Sequence, residues 1–283
     1  MGVIYALCCA CTSTAKDLVS KTLASKVHPD TSTFASFLFA LPFYGVIFIV
    51  LSLIGAEGAQ ISRQFLILVL LRGVSDVFAE GFKMRAFNAG DISLVSGILA
   101  LSPLILTVIS PFITGDVVRA SEVVGIFLIV VGGVIVIRRD RTTGKVIQPV
   151  AVLYALGGSI AFAMNSALDR LAVNYAGAFS SAFSVTLCGA LLTSPALFRV
   201  STARAELSAH SRGFFLRGLI ETVFMIAKMA ALVTLPAHIV VGLMRMSMIF
   251  TVIVGGAWFK EQDRSRRILG TLIMYVGLLC LIL

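Results

Sequence analysis

Four ionisable residues, Arg72, Asp76, Glu80 and Lys83, interrupt one apolar run at spacings i, i+4, i+8 and i+11, so on a helix they share a single stripe. A second run repeats the pattern with Arg217, Glu221 and Lys228, Met225 standing where Glu80 does. Lys16 and Asp17 interrupt a third apolar run and Arg245 a fourth. An unpaired charge in hydrocarbon costs from about 3 kcal/mol on insertion scales to far more in simulations, so these stripes must face one another or a watery cavity. Cations held there can bind a negative group on a small molecule. Asp76 or Glu80 can take up a coupling proton, because a low-dielectric setting disfavours the charged carboxylate.

Position separates scaffold from chemistry. Arg72 and Arg217 lie near helix ends, each one turn before an acid, so local pairing and snorkelling account for them. Asp76 and Glu221 lie nearer mid-helix, where pairing with those arginines and a place on the pathway are both open. Lys83 and Lys228 have fewer partners at hand, Lys228 having no acid within a turn on its own helix, and both are expected to line the pathway. Lys16 and Asp17 point about 100° apart on a helix, so at least one reaches the interior. Six cations (Lys16, Arg72, Lys83, Arg217, Lys228, Arg245) against four anions (Asp17, Asp76, Glu80, Glu221) leave a surplus of two positive charges, which favours an anionic or zwitterionic ligand.

The elements that carry these residues are long apolar helices. With 58% hydrophobic and only 13% charged residues, the chain lacks the charge needed to cover a soluble surface. Ten stretches approach the roughly 20 residues needed to cross a bilayer: about 2–23, 32–54, 65–87, 92–112, 121–138, 149–170, 179–198, 213–235, 238–258 and 266–283. The fold class is therefore all-α, a polytopic membrane protein; the stretches are too long and too continuously apolar for barrel strands. The first stretch begins apolar and turns polar in its middle, the reverse of a signal peptide, and is read as a helix lining something polar. The connections, the longest near 139–148 and 199–212, leave no room for an extramembrane domain.

The net charge of +9 comes from loops at helix ends and is a topology signal rather than a nucleic-acid footprint, so no nucleic-acid partner is expected. Basic residues crowd the connections after odd-numbered stretches, which by the positive-inside rule puts both termini outside. Five cysteines inside apolar stretches give no disulfide framework and read as small buried hydrophobes. His28, His210 and His238 lack metal-ligand spacing, and no nucleotide-binding loop or Ser/His/acid arrangement is present. No enzyme, cofactor or metal is expected, and any active transport must draw on a gradient or exchange.

The two charged stripes belong to a duplication. A constant shift of 145 overlays residues 72–137 on 217–282 without a gap, pairing Arg72 with Arg217, Asp76 with Glu221, Lys83 with Lys228, Gly97 with Gly242, Ser102 with Ser247, Asp116 with Glu261, Gly125 with Gly270 and Gly132 with Gly277. A shift of 149 overlays Tyr5-Ala6-Leu7 on Tyr154-Ala155-Leu156 and Lys21 on Arg170. Arg245 aligns with Ala100, so the shared scaffold does not require it, and a substrate role is expected. The halves are placed at 1–142 and 143–283, with the junction in the basic link Arg138 to Gln148. Five helices per half is an odd number, so the halves enter the membrane in opposite senses, as in carriers that alternate access around a central site. Glycines seven apart, Gly125/Gly132 and Gly270/Gly277, mark close helix packing. Pro103, aligned with Met248, is expected to kink the fourth helix in its middle.

The run Leu101-Ser102-Pro103, then Gly115-Asp116, then a helix with Gly132-Gly133, resembles the drug/metabolite transporter superfamily, specifically its EamA-like ten-helix members. A second copy reads Met246-Ser247-Met248, Lys260-Glu261 and the Gly270 helix, and Lys21 and Arg170 resemble the basic residue ending the first helix of each family repeat. Departures from the pattern include Ser13 and Ser102, where the family often has tryptophan and an acid. The resemblance implies a transporter in a cell membrane of the bacterial inner-membrane type, with both termini in the cytoplasm, against the charge count. The expectation is a non-ATP carrier that moves a small polar, anionic or zwitterionic metabolite by alternating access. Its site draws on Lys83, Lys228, Arg245, Asp76, Glu221, Glu80, Lys16 and Asp17, and its partners are a small-molecule substrate, the lipid bilayer and, if transport is coupled, a proton. The alternative is a proton-coupled exporter of lipophilic cations that uses Asp17 or Glu80 as counter-ion beside Phe78, Phe82 and Phe87. A non-transporting receptor or assembly subunit leaves the duplicated stripes unexplained.

Overall fold

The structure, a computed structural model, describes residues 1–24, 26–53, 62–89, 95, 98–137, 148–247 and 264–282. Its first half contains α1 (Gly2–Ala24), α2 (Pro29–Leu38), α3 (Leu41–Leu53), α4 (Arg63–Ala89), α5 (Ser102–Ile113) and α6 (Ala120–Ile137). The second contains α7 (Pro149–Thr193), α8 (Ala196–Arg199), α9 (Ala203–Ala209), α10 (Ser211–Thr234), α11 (Ala237–Met244) and α12 (Arg264–Ile282). These elements make ten helices in two inverted five-helix repeats. The second crossing is α2 and α3, stepped at Phe39-Ala40; the sixth and seventh are the two arms of α7; α8 and α9 are short pieces of a connection.

Local chemistry sets the breaks. Gly177 (φ 70°, ψ 178°) divides α7 with a left-handed residue that only glycine adopts without strain. Pro29 opens α2 behind His28, whose Nδ1 accepts from the Asp30 amide and caps the helix. Pro103 corrects an expectation: it stands in the first turn of α5, just after the Ala100-Leu101 turn, where a missing N–H costs nothing, and the proline inside the helix is Pro111. Cysteine burial is also mixed: Cys9 is buried, whereas Cys8 and Cys11 are exposed. Met248, Lys260, Glu261, Gly97 and the 138–147 part of the link lie outside the described residues, as does the side chain of Asp17.

α4 is polar inside and apolar outside. Arg72, Asp76, Glu80 and Lys83 are buried, while Leu66, Ile67, Leu70, Leu71, Val74 and Phe78 are exposed. Water would penalise that arrangement and lipid rewards it.

The halves interlock through antiparallel contacts. α4 packs on the first arm of α7 and α1 on α10, each pairing an early helix of one half with the charged-stripe helix of the other. α6 lies against α12: a Cβ on Gly132 would meet the Gly270 carbonyl oxygen at 2.5 Å, and one on Gly277 would meet that of Gly125 at the same 2.5 Å. The 145 shift exchanges these two contacts, so the pseudo-two-fold axis passes between α6 and α12. Small residues there let the two backbones touch.

Candidate functional site

The charged stripes of α4 and α10 point inward to α1, α2 and α7, and their side chains close on one another. Asp169, on the first arm of α7 and fully buried, accepts from Arg72 Nε at 2.6 Å through one oxygen and from Lys228 Nζ at 2.7 Å through the other. Arg72 also forms an ion pair with Asp76 at 2.9 Å, and Asn165 Nδ2 donates to Asp76 at 2.9 Å. One helical turn onward, Glu80 is bridged in the same way: Lys83 Nζ donates to one oxygen at 2.6 Å and Arg217 Nη2 to the other at 3.2 Å. Arg217, fully buried, donates further to the Ser32 carbonyl at 3.1 Å and to Ser36 Oγ on α2. Lys16 reaches Glu221 at 3.2 Å and lies over the Phe224 ring at 3.9 Å.

Several expectations change. Arg72 pairs with the acid one turn later, but Arg217 does not: it turns to Glu80, and Glu221 is neutralised from α1 by Lys16. Non-equivalent positions set the difference: Lys16 against Asn165, together with Glu80 against Met225 and Asp169 against Ser20. The 149 shift aligns Lys16 with Asn165, and a neutral amide leaves Asp76 needing Arg72, whereas a charged amine frees Arg217 from Glu221. Lys228 finds its acid on another helix, and Lys83 finds Glu80 three residues away.

Arg245 stands apart from this network, at the end of α11, where its Nη2 donates to the Leu99 carbonyl at 2.8 Å and to Ser102 Oγ. It therefore joins the turn before α5 to the other half. Of the eight residues singled out from sequence, six fall in three sets of contacts, Lys228 and Asp76 through Asp169 and Arg72, Lys83 and Glu80 with Arg217, and Lys16 with Glu221, while Arg245 belongs to a further polar locus.

Two groups were not anticipated. Asp169 has no charged counterpart, since the 149 shift places it on Ser20. His238, buried at the start of α11, meets Glu122 of α6 at 3.0 Å, and Glu122 also accepts from the Arg119 amide at 2.8 Å. Beside that pair, Asp116 accepts from Thr114 Oγ1 at 2.8 Å and from the Ala237 amide at 3.4 Å, while Arg170 Nη1 donates to the Leu232 carbonyl. This cluster ties the α5–α6 connection to the α10–α11 turn.

The arrangement can hold an oxyanion between a lysine and an arginine contributed by different halves. Among the described groups near it, five cations (Lys16, Arg72, Lys83, Arg217, Lys228) stand against four carboxylates (Asp76, Glu80, Asp169, Glu221), and Arg245 adds a further cation at its own polar locus. An open apolar groove of about 450 Å³ between α4 and α7, lined by Phe78, Phe82, Ile160 and Met164 among others, contains none of them.

Known proteins resemble this chain in sequence pattern and in fold. The EamA-like transporter family matches residues 1–138 and again 149–283. A solved structure titled "Crystal structure of protein" aligns with a TM-score of 0.73, covering 99% of this chain and 95% of its own at 14% identity, a likeness of fold. No curated protein matches the sequence.

Proposed function

The chain belongs to the EamA-like transporter family, whose members are membrane-embedded, multi-pass transporters rather than enzymes, and on that premise we propose that it is a secondary carrier for a small anionic or zwitterionic metabolite. It works without ATP, by alternating access between its two inverted repeats, with Lys83, Lys228 and Arg245 meeting the cargo's negative groups. Asp76 or Glu80 carries a proton if transport is coupled.

The observation that supports this reading is the surplus of cations over carboxylates in the buried network, with each bridged carboxylate held by one cation from each half. A group of the same charge on a small molecule would find these donors aimed at it, and a low dielectric amplifies their pull. The lipophilic-cation alternative is less well served. Its acid Glu80 is engaged by Lys83 and Arg217, and its rings Phe78 and Phe82 line a groove that contains no acid.

Proteoliposome uptake of labelled amino acids, carboxylates and phosphorylated metabolites tests the proposal. Saturable uptake that is lost in Lys228→Ala and Arg245→Ala supports it; wild-type transport in both variants would remove these residues from the site.

A further inference from the structure

The two bridged carboxylates are related in an uneven way. The cations around them exchange under the repeat: Lys83 aligns with Lys228 and Arg217 with Arg72, so the pair Lys83–Arg217 becomes the pair Lys228–Arg72. The acids do not exchange. Glu80 aligns with Met225 and Asp169 with Ser20, one acid coming from α4 and the other from α7. The duplicated scaffold thus supplies two equivalent lysine–arginine clamps, and each is filled by a carboxylate from an unrelated position.

The filling geometry is alike in both. One carboxylate oxygen takes a lysine at 2.6 Å (Glu80) or 2.7 Å (Asp169), and the other takes an arginine at 3.2 Å or 2.6 Å. A free oxyanion would sit in a lysine–arginine clamp in this way. Each clamp draws its two cations from different halves, so a closed clamp also joins the halves.

We infer that Glu80 and Asp169 are built-in stand-ins for the cargo: they close two equivalent oxyanion clamps, and a carboxylate or phosphate group on the cargo binds by displacing them. This rests on the proposed function and deepens it. Exchange of one carboxylate for another keeps the buried cations paired throughout, avoiding the cost of an uncompensated charge when the carrier is empty. An internal competitor that fills a clamp for nine-tenths or more of the time lowers apparent affinity about tenfold or more, the fraction of competent clamp setting the penalty.

The test is equilibrium binding of inorganic phosphate, of succinate and of the lipophilic cation tetraphenylphosphonium, titrated separately onto detergent-purified wild type, Asp169→Asn and Glu80→Gln. The amides keep the shape and remove the competing charge. The inference expects one of the two anions to bind at least one variant about tenfold or more tightly than wild type, even though the empty variant melts at a lower temperature; a gain with phosphate alone or succinate alone identifies the oxyanion. A variant that folds only when anion is added also supports it. Anion affinity unchanged or reduced in both variants, or misfolding that no anion rescues, overturns it. If wild type and variants alike bind only lipophilic cations, the proposed function itself fails, which separates the two outcomes.

Discussion

Lys16 on α1 and Glu221 on α10 meet at 3.2 Å, and the repeat carries that ion pair onto the Asn165–Asp76 hydrogen bond of 2.9 Å between α7 and α4. One junction between the halves is ionic and its equivalent is neutral to anionic. Together with the unmatched acids Glu80 and Asp169, this difference decides which carboxylates Arg72 and Arg217 reach.

Lys16→Ala is therefore expected to cost more than Asn165→Ala. The first leaves the part-buried Glu221 without its Lys16 partner, a loss approaching that of a broken fully buried pair, about 3–5 kcal/mol. The second removes one amide from Asp76, which keeps Arg72, a loss nearer 1–2 kcal/mol. Melting temperatures of the two purified variants decide the order, and equal losses would contradict it.

Asp169→Leu should be among the most damaging single substitutions, because it strands Lys228 in the interior and takes from Arg72 one of its two acids, leaving it Asp76 alone. Pairing it with Lys228→Met should recover part of the loss, since one stranded cation disappears. A double variant no more stable than Asp169→Leu would mean that Lys228 does not depend on this acid.

Gly132→Ala and Gly277→Ala should be equally disruptive, each pressing a methyl to 2.5 Å from a backbone carbonyl across the α6–α12 contact. Overpacking of this kind costs about 1–3 kcal/mol. Gly45→Ala, which meets nothing within 4 Å, is the control. Loss of stability at one of the two glycines alone would argue against the placement of the pseudo-two-fold axis.

The connection carried by α9 should respond to acid. Partial burial pushes the Glu206 carboxyl up, but hydrogen bonds from Thr202 Oγ1 at 2.7 Å and the His28 amide at 3.1 Å outweigh it and hold the carboxyl below the usual glutamate range. A depressed carboxyl contributes stability above its unfolded value, about 4.3, and loses it as pH falls through the folded value. Protection factors for amide exchange of residues 203–210, corrected for the intrinsic pH dependence of exchange, should therefore be unchanged from pH 7 to 5, fall below about 4.3, and lose this acid step in Glu206→Gln. An acid step that persists in Glu206→Gln would assign it to another group.

Much of this was legible because duplication leaves a numerical trace. Constant shifts in Arg72/Arg217, Lys83/Lys228 and the four glycines carried the inverted repeat, and apolar length carried the helices. The partners were harder to read. Asp169 lies beside Arg170, which drew attention through its match to Lys21, yet a charge aligned with Ser20 bears the same asymmetry that singled out Arg245. Glu122 and His238 are 116 residues apart, each at the start of an apolar helix, and nothing in their spacing links them. Pro103 misled because an apolar run does not reveal that the helix breaks at Ala100-Leu101, so a first-turn proline reads as an interior one.

The central claim, that buried cations from both halves receive a negatively charged cargo, is tested most directly by thermal stabilisation of the detergent-purified protein against small anions, amino acids and lipophilic cations, repeated with Lys228→Ala and Arg245→Ala. The account predicts a rise in melting temperature with an anionic or zwitterionic compound that disappears in both variants. Stabilisation by lipophilic cations alone, undiminished in either variant, would contradict it.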